Sequence, residues 1–501
     1  MKRTFNIVRL LFLAVLCTAA DIAFAQTVLT LQDCRELALK NNKASSIARE
    51  KVNAATYDRK AALSNYFPKL SVSGAYLHNS DNISLLNDND MSALTGLGTN
   101  LNSQVQAISG QLMHDPEFLM VLLLDPGMRY VLEKLQGVDI EGPLNAIGSS
   151  VADKFTFDIA NTYIGTVTLE EPLYAGGKIR AYNKVTSYAR ELAETQLEGE
   201  DRKVQVTADE AYWQIVSIAN KLKLADKYVE LLRKLDKDIN AMKEQGVVTA
   251  SDQLSVKVKL NEAEMIQIKA QNGLSLSKML LCQLCGLDLH SDITLADEEE
   301  VGVLTFEDKL EYTEKDIDEN RPELKSLQLA VQMYDQKTRI VQADYLPTLA
   351  LMGNYMMTNP NVKHGFENKF SGMWSVGVVA RIPVFHFGEG INKVRRAKSD
   401  ALIAQYQLDE ARGKITLQVT QYEQKIKEAE SRLQMAEKNM ENADENLRIA
   451  NIGFQEGVLE STVVMQAQTA WMQAHSEDID ARIDRIMANV YLRQATGMWN
   501  K

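Results

Sequence analysis

Proline and cysteine are scarce in this 501-residue chain, nine and four respectively, and basic residues are outnumbered, 55 against 67 acidic. Each shortage excludes something. An acidic chain with a formal net charge of −12 is not an electrostatic binder of nucleic acid. Cys34, Cys282 and Cys285 follow the first seventeen residues without a second C-x-x-C or a nearby histidine, so neither a disulfide framework nor a zinc site is indicated. They read as small apolar residues on packed helix faces. There is no G-x-S-x-G elbow, no phosphate-binding G-x-x-x-x-G-K-[ST] loop and no H-E-x-x-H helix, and the six histidines are scattered, which leaves no expectation of an enzyme, a metal site or a cofactor.

Long apolar runs are also missing beyond the N-terminus. Lys2, Arg3 and Arg9 precede the run Leu10 to Cys17 and the A-x-A site Ala23-Phe24-Ala25, a secretory signal peptide cleaved after Ala25. Leu16 stands where a lipobox needs a small residue, which argues against lipidation at Cys17. After the signal no stretch approaches the ~20 apolar residues of a membrane-spanning helix, so a bilayer could be crossed only by a closed β-barrel.

What is present is a repeat. Pro172, Gly177, Gly246 and Gly286 recur 211 positions later as Pro383, Gly388, Gly457 and Gly497, and a second offset of 279 maps Asn41 onto Asn320 and Pro68 onto Pro347. The difference of 68 residues between the offsets is an insertion in the first copy, near 78–155. The chain therefore reads as one unit doubled, 26–310 and 311–501, each running helix, strand, strand, long helix, helix. Short helices are expected within the insertion near 117–124 and 128–135, and residues 287–312 read as an acidic, irregular connector, with Asp297 to Glu300 a solvated surface.

Between Gly177 and Glu244 there is no proline, and Val204, Ala208, Ala211, Ile215, Ile218, Leu222, Ala225, Val229 and Leu232 keep the four-three spacing of a coiled-coil seam. About 68 residues at ~1.5 Å each make a rod of ~100 Å, and Glu389 to Phe454 matches it in length. Glycine turns at 244–252 and 455–463 lead into shorter helices ending near Gly286 and Gly497, and a further helix over 31–66 opens the first unit. Antiparallel rod pairs follow, with hairpin turns at one end.

Strand signals fill the other end: SVSGAY after Pro68, then 162–174, 346–355 and 373–385. In the last, Trp374, Val376, Val378, Ala380 and Ile382 share one face against Ser375, Gly377, Val379 and Arg381, the mostly alternating pattern of a barrel strand between lipid and water. Met352, Met356 and Met357 read as membrane-facing apolar residues. Pro68, Pro172, Pro347 and Pro383, with Gly176, Gly177 and Gly388, mark the junctions of strand and helix. Four strands cannot close a barrel, so several chains must pool theirs.

Those residues carry a resemblance. LTLQDCRELALKNN at 29–42, ENRPEL at 319–324, EPLYAGGKIRAYN at 171–183, the turns at Gly246 and Gly457 and the terminal YLRQATGMW at 491–499 resemble the TolC family of outer-membrane efflux proteins over nearly all of the chain except 78–155. The resemblance implies a mixed α and β membrane protein: a homotrimer whose three chains build a 12-stranded outer-membrane β-barrel continued by a periplasmic α-helical barrel. It implies a passive exit duct in a Gram-negative outer membrane, working with a periplasmic adaptor and an inner-membrane pump of the resistance-nodulation-division (RND) or ABC type to expel small molecules. Type I protein secretion and metal efflux are alternative cargoes, and a periplasmic helical scaffold or adaptor is the rival class.

By position, Gly246, Val247, Val248 and Thr249, with Gly457, Val458, Leu459 and Glu460, would be the tips that meet the adaptor. The family narrows its tunnel with acidic residues six and nine positions after the second glycine, where this chain has Val463 and Gln466. Asp252 stands at the sixth position after the first glycine, but its latch partners are replaced by Leu459 and Phe454. Closure is then expected from apolar packing of Phe454, Leu459 and Val463, with Glu460 or Glu456 as a ring selecting cations.

Overall fold

A computed structural model describes residues 27–299, 310–363 and 366–499. The signal peptide, Cys17 and residues 300–309 of the connector, Glu300 among them, lie outside the described residues. In chain order the elements are β1 (Thr27–Leu29), α1 (Leu31–Asn41), α2 (Lys43–Leu63), β2 (Lys69–His78), β3 (Ile83–Ser84), α3 (Asp88–Thr95), α4 (Leu97–Met113), α5 (Pro116–Leu124), α6 (Pro126–Gln136) and α7 (Glu141–Lys154). Then come β4 (Thr156–Phe157), β5 (Asn161–Ala175), α8 (Lys178–Glu244), α9 (Ala250–Cys285), β6 (Ile293–Leu295), α10 (Glu314–Asn320), α11 (Pro322–Ala343), β7 (Thr348–Asn359), β8 (Ser371–Arg381), α12 (Glu389–Gln455) and α13 (Ser461–Thr496). The chain divides by contact into a helical unit (1–63, 178–344, 386–501) and a strand unit (64–177, 345–385), so each sequence half contributes to both.

In the helical unit α8 and α12 are both 67 residues long, α9 and α13 both 36. Neither long helix could persist on propensity alone; packing along an apolar stripe holds them. Of the nine seam residues, seven are buried, while Ile218 and Leu222 are only half-buried. Burial extends beyond the seam to Tyr212, Trp213, Val216, Leu224 and Tyr228, because α8 packs against α9, α11, α2 and α13 rather than one partner.

Short helices meet end to end against the long ones. The helix expected over 31–66 is broken at Asn42, an extended residue, into α1 and α2 plus a 3-10 turn at Ser64–Tyr66. At that break Asn41 Nδ2 donates to the Cys285 carbonyl at 2.7 Å, where α9 ends on Gly286 with φ +69°. A Cβ on Gly286 would overlap the Asn41 side chain. The second half builds the same joint: Gly497 has φ +76°, and a Cβ there would lie 2.9 Å from Asn320 atoms. Asn41 and Asn320 are the positions the 279 offset equates, Gly286 and Gly497 those the 211 offset equates.

The described part of the connector, 287–299, is more ordered than its composition suggested. Its β6 pairs in parallel with β1, with Thr27 opposite Ile293. Asp297 accepts a 2.5 Å hydrogen bond from Tyr212, and Glu298 is buried beside Lys278 at 2.7 Å, so these two carboxylates are anchored, not merely solvated. Cys34, Cys282 and Cys285 are fully buried in the apolar cluster at this level.

The strand unit holds a four-stranded antiparallel sheet in the order β2-β5-β7-β8 and a separate two-residue antiparallel pair, β3-β4. The strands run longer than expected except β8, which ends at Arg381. Pro347 and Pro68 directly precede β7 and β2, and Pro383 follows β8 by two residues. Pro172 differs: it lies inside β5, where the pairing with β7 shifts register between Pro172 and Tyr174. A bulge accommodates a residue that cannot donate to the ladder. The insertion forms α3 to α7; α5 and α6 stand where helices were expected, whereas α3, α4 and α7 carried no recognised signal.

Candidate functional site

The helix-hairpin tips are two copies of one backbone device. At the first, Gly246 (φ +76°) donates to the Lys243 carbonyl at 2.9 Å and Val247 to the Met242 carbonyl at 2.9 Å. At the second, Gly457 (φ +76°) donates to Phe454 at 3.0 Å and Val458 to Gly453 at 2.8 Å. These paired bonds are a Schellman closure, which needs a left-handed residue and therefore favours glycine. Val247 and Val458 are left 67% and 78% exposed, the most prominent apolar side chains of the tips.

Side chains distinguish the tips. Thr249 caps α9: its backbone and hydroxyl donate to Asp252 at 2.9 and 2.8 Å, and the Asp252 amide donates back to the hydroxyl at 3.2 Å. These bonds from Thr249 hold the exposed Asp252 carboxyl below its ordinary value. Asp252, considered above as a constriction residue, is thus occupied as a cap. Glu460 caps α13 with no side-chain bond to a helix amide; its carboxylate accepts from the Thr462 hydroxyl at 3.3 Å. There the closure is apolar: Leu459 folds over Gly453, where a Cβ would lie 2.6 Å from Leu459 Cδ1.

The expected apolar trio does not form one surface. Phe454 is buried in the core of the hairpins with Val464 and Leu447, Leu459 is half-buried, and Val463 is 38% exposed. Glu456, Glu460 and Gln466 are exposed.

The sheet has two chemically distinct faces, fixed by register. One face carries Leu70, Val72 and Tyr76 of β2 opposite Leu169, Val167 and Tyr163 of β5. It continues through Leu351 and Tyr355 of β7 to Val378 and Trp374 of β8. The other face carries Ser71 and Ser73, Thr166, Thr168 and Glu170, Asn354 and Thr358, then Ser371, Ser375 and Arg381. This is the lipid-facing and water-facing alternation of a transmembrane barrel. Met357 falls on the apolar face, but Met352 and Met356 lie on the polar one, Met356 opposite Met373, so the expectation that all three methionines face lipid is corrected. Among the described residues, both outer strands, β2 and β8, have one unpaired edge. No described helix is long and apolar enough to cross a membrane.

A doubled set of helical hairpins together with a two-faced antiparallel sheet is the architecture of outer-membrane channels. VceC from Vibrio cholerae superposes with a TM-score of 0.67 at 13% identity, over 93% of this chain and 96% of that one. A membrane protein from Pseudomonas aeruginosa gives 0.70 at 14% over 94% and 92%, and the CmeC channel of Campylobacter jejuni 0.66 at 14% over 93% and 85%. No curated protein sequence matches. Residues 315–498 match the model of the outer membrane efflux protein family. The family is one of passive channels, not of enzymes.

Beyond the tips, sequence reading missed Arg35 and Asp209. Arg35 donates to both carboxylate oxygens of the fully buried Asp209, at 2.6 and 2.5 Å, pinning α1 to α8. Burial pushes the Asp209 carboxyl up, and Arg35 opposes that. Two charged residues 174 positions apart give no local signal.

Proposed function

We propose that three copies of this chain close a 12-stranded barrel in the outer membrane of a Gram-negative cell and act as the passive exit duct of a tripartite efflux system for small molecules. The observation that carries the reading is the sheet: four strands with an apolar and a polar face and two open edges are stable in a bilayer only when other copies pair those edges. Twelve strands from three chains exceed the eight or so that bacterial barrels need. The exposed tips at Gly246–Thr249 and Gly457–Glu460 then meet a periplasmic adaptor, which couples the duct to an inner-membrane pump of the RND or ABC type. Phe454 supports the second tip from within, leaving Glu460 and Glu456 as the charged groups that select cations.

Photo-crosslinking through a reactive residue at Val247 or Val458 in the native envelope tests this reading. Capture of an adaptor is expected; capture of the chain by itself alone would contradict the docking. A conductance as cation-blockable in Glu460→Gln as in the parent channel would remove that ring.

A further inference from the structure

The insertion divides into a platform and an arm. Its platform is tightly built: Gly98 at the start of α4 sits where a Cβ would overlap the Glu141 carbonyl, and Gly148 of α7 where one would overlap the Leu94 carbonyl. Asn145 accepts from the Gly98 amide at 2.8 Å, and Glu141 from Thr99 and Asn102, both at 2.8 Å. The arm is the reverse. Helix α5, PEFLMVLLL, is apolar on every side and has no buried residue; Met120, Leu123 and Leu124 are 66%, 73% and 77% exposed. It packs chiefly on its sequence neighbours α4 and α6. An all-round apolar helix belongs in an interior.

We infer that α5 is a homotypic contact, in which the α5 helices of three copies pack together as a cap over the outer mouth of the barrel. This rests on the three-copy reading above. Position supports it: the insertion leaves the sheet from edge strand β2, at the seam where the next copy pairs, and returns as β5. Phe157, just before β5, packs with its ring tilted 46° and centred 4.9 Å from that of Phe366 in the β7–β8 connection, so both connections lie at one end of the sheet. Reach suffices, because twelve strands ~4.8 Å apart and tilted ~40° enclose a circle of roughly 12 Å radius, while the 17 residues of α4 span about 25 Å. Charge argues against lipid as the cover. Between His78 and Asn161 there are 11 acidic and three basic residues, and Asp115 and Asp125 bracket α5, with Glu117 in its first turn. Docked on a phosphate-rich lipid surface, those carboxylates would face like charge; in a three-helix bundle they lie at its two wet ends while the apolar middle is covered.

Bismaleimide crosslinking of Leu123→Cys in the intact envelope is the test, with the parent chain as control because its described thiols are fully buried. Covalent dimers linked through position 123 are expected, and nothing larger, because each chain offers one reactive thiol and a bismaleimide joins two; Leu123→Asp, which sets three carboxylates in the bundle, should raise single-channel conductance while the trimer persists. A stable trimer with no product at position 123, its α5 labelled instead by a photoreactive lipid, would overturn the cap and leave the duct reading intact. A monomeric chain would overturn both.

Discussion

Asn41 against Gly286 in the first half and Asn320 against Gly497 in the second are the same backbone joint held by different side chains. The first is clamped by the β1–β6 strand pair and by Arg35 on buried Asp209. The second relies on Arg321, which donates to the Gln494 and Ala495 carbonyls at 3.1 and 2.8 Å, and on Arg202, which donates to the Asn320 carbonyl at 2.8 Å. The tips repeat the lesson, with a polar cap at Thr249 and Asp252 in one and apolar closure of Leu459 on Gly453 in the other. What the two halves share is helix length and the placement of left-handed glycines; the chemistry that secures each joint has diverged.

That contrast can be broken in order of effect. Arg35→Ala leaves the Asp209 carboxylate buried without a partner, and thermal unfolding should report a loss of about 3–5 kcal/mol. The position equated with it in the second half, exposed Glu314, should tolerate alanine within ~0.5 kcal/mol. Gly286→Ala and Gly497→Ala should hurt both halves alike, by the ~1–2 kcal/mol of a left-handed alanine plus the overlap with Asn41 or Asn320. Gly246→Ala and Gly457→Ala, with open space around each, should cost only the conformational part.

At the tips, Gly453→Ala should cost about 1–3 kcal/mol by displacing Leu459, read as faster hydrogen exchange confined to the second turn. Thr249→Ala should weaken only the first tip, by ~1 kcal/mol, and Glu460→Ala neither. Acid should act on the first tip by the same asymmetry. The folded Asp252 carboxyl lies below its ordinary value, so its contribution is complete above the usual carboxylate range, ~3.9, and is lost as pH falls below that through the folded value. Exchange at Thr249–Asp252 should therefore accelerate on acidification below pH ~4, and Asp252→Asn should remove that response.

Local signals made much of this legible. The long helices expected over 177–244 and 389–454 stand at Lys178–Glu244 and Glu389–Gln455, because a proline-free heptad pattern bounded by glycine determines a helix nearly to the residue. The strands and the polar position of Arg381 followed from alternation. Contacts that depend on distant sequence were hidden. The three-residue pair β1–β6 joins residues more than 260 apart, Arg35 finds Asp209 only once α1 is laid on α8, and the sides of Met352 and Met356 needed the register with β8. The break at Asn42 was likewise silent, since nothing in KNNKAS interrupts a helical pattern until the Gly286 turn abuts it.

The mass of the detergent-solubilised particle, measured by light scattering with the detergent contribution subtracted, tests the central claim most directly. Three chains per particle is the result predicted by a sheet whose β2 and β8 edges are completed by neighbouring copies; one chain per particle, with those edges left open, would contradict it.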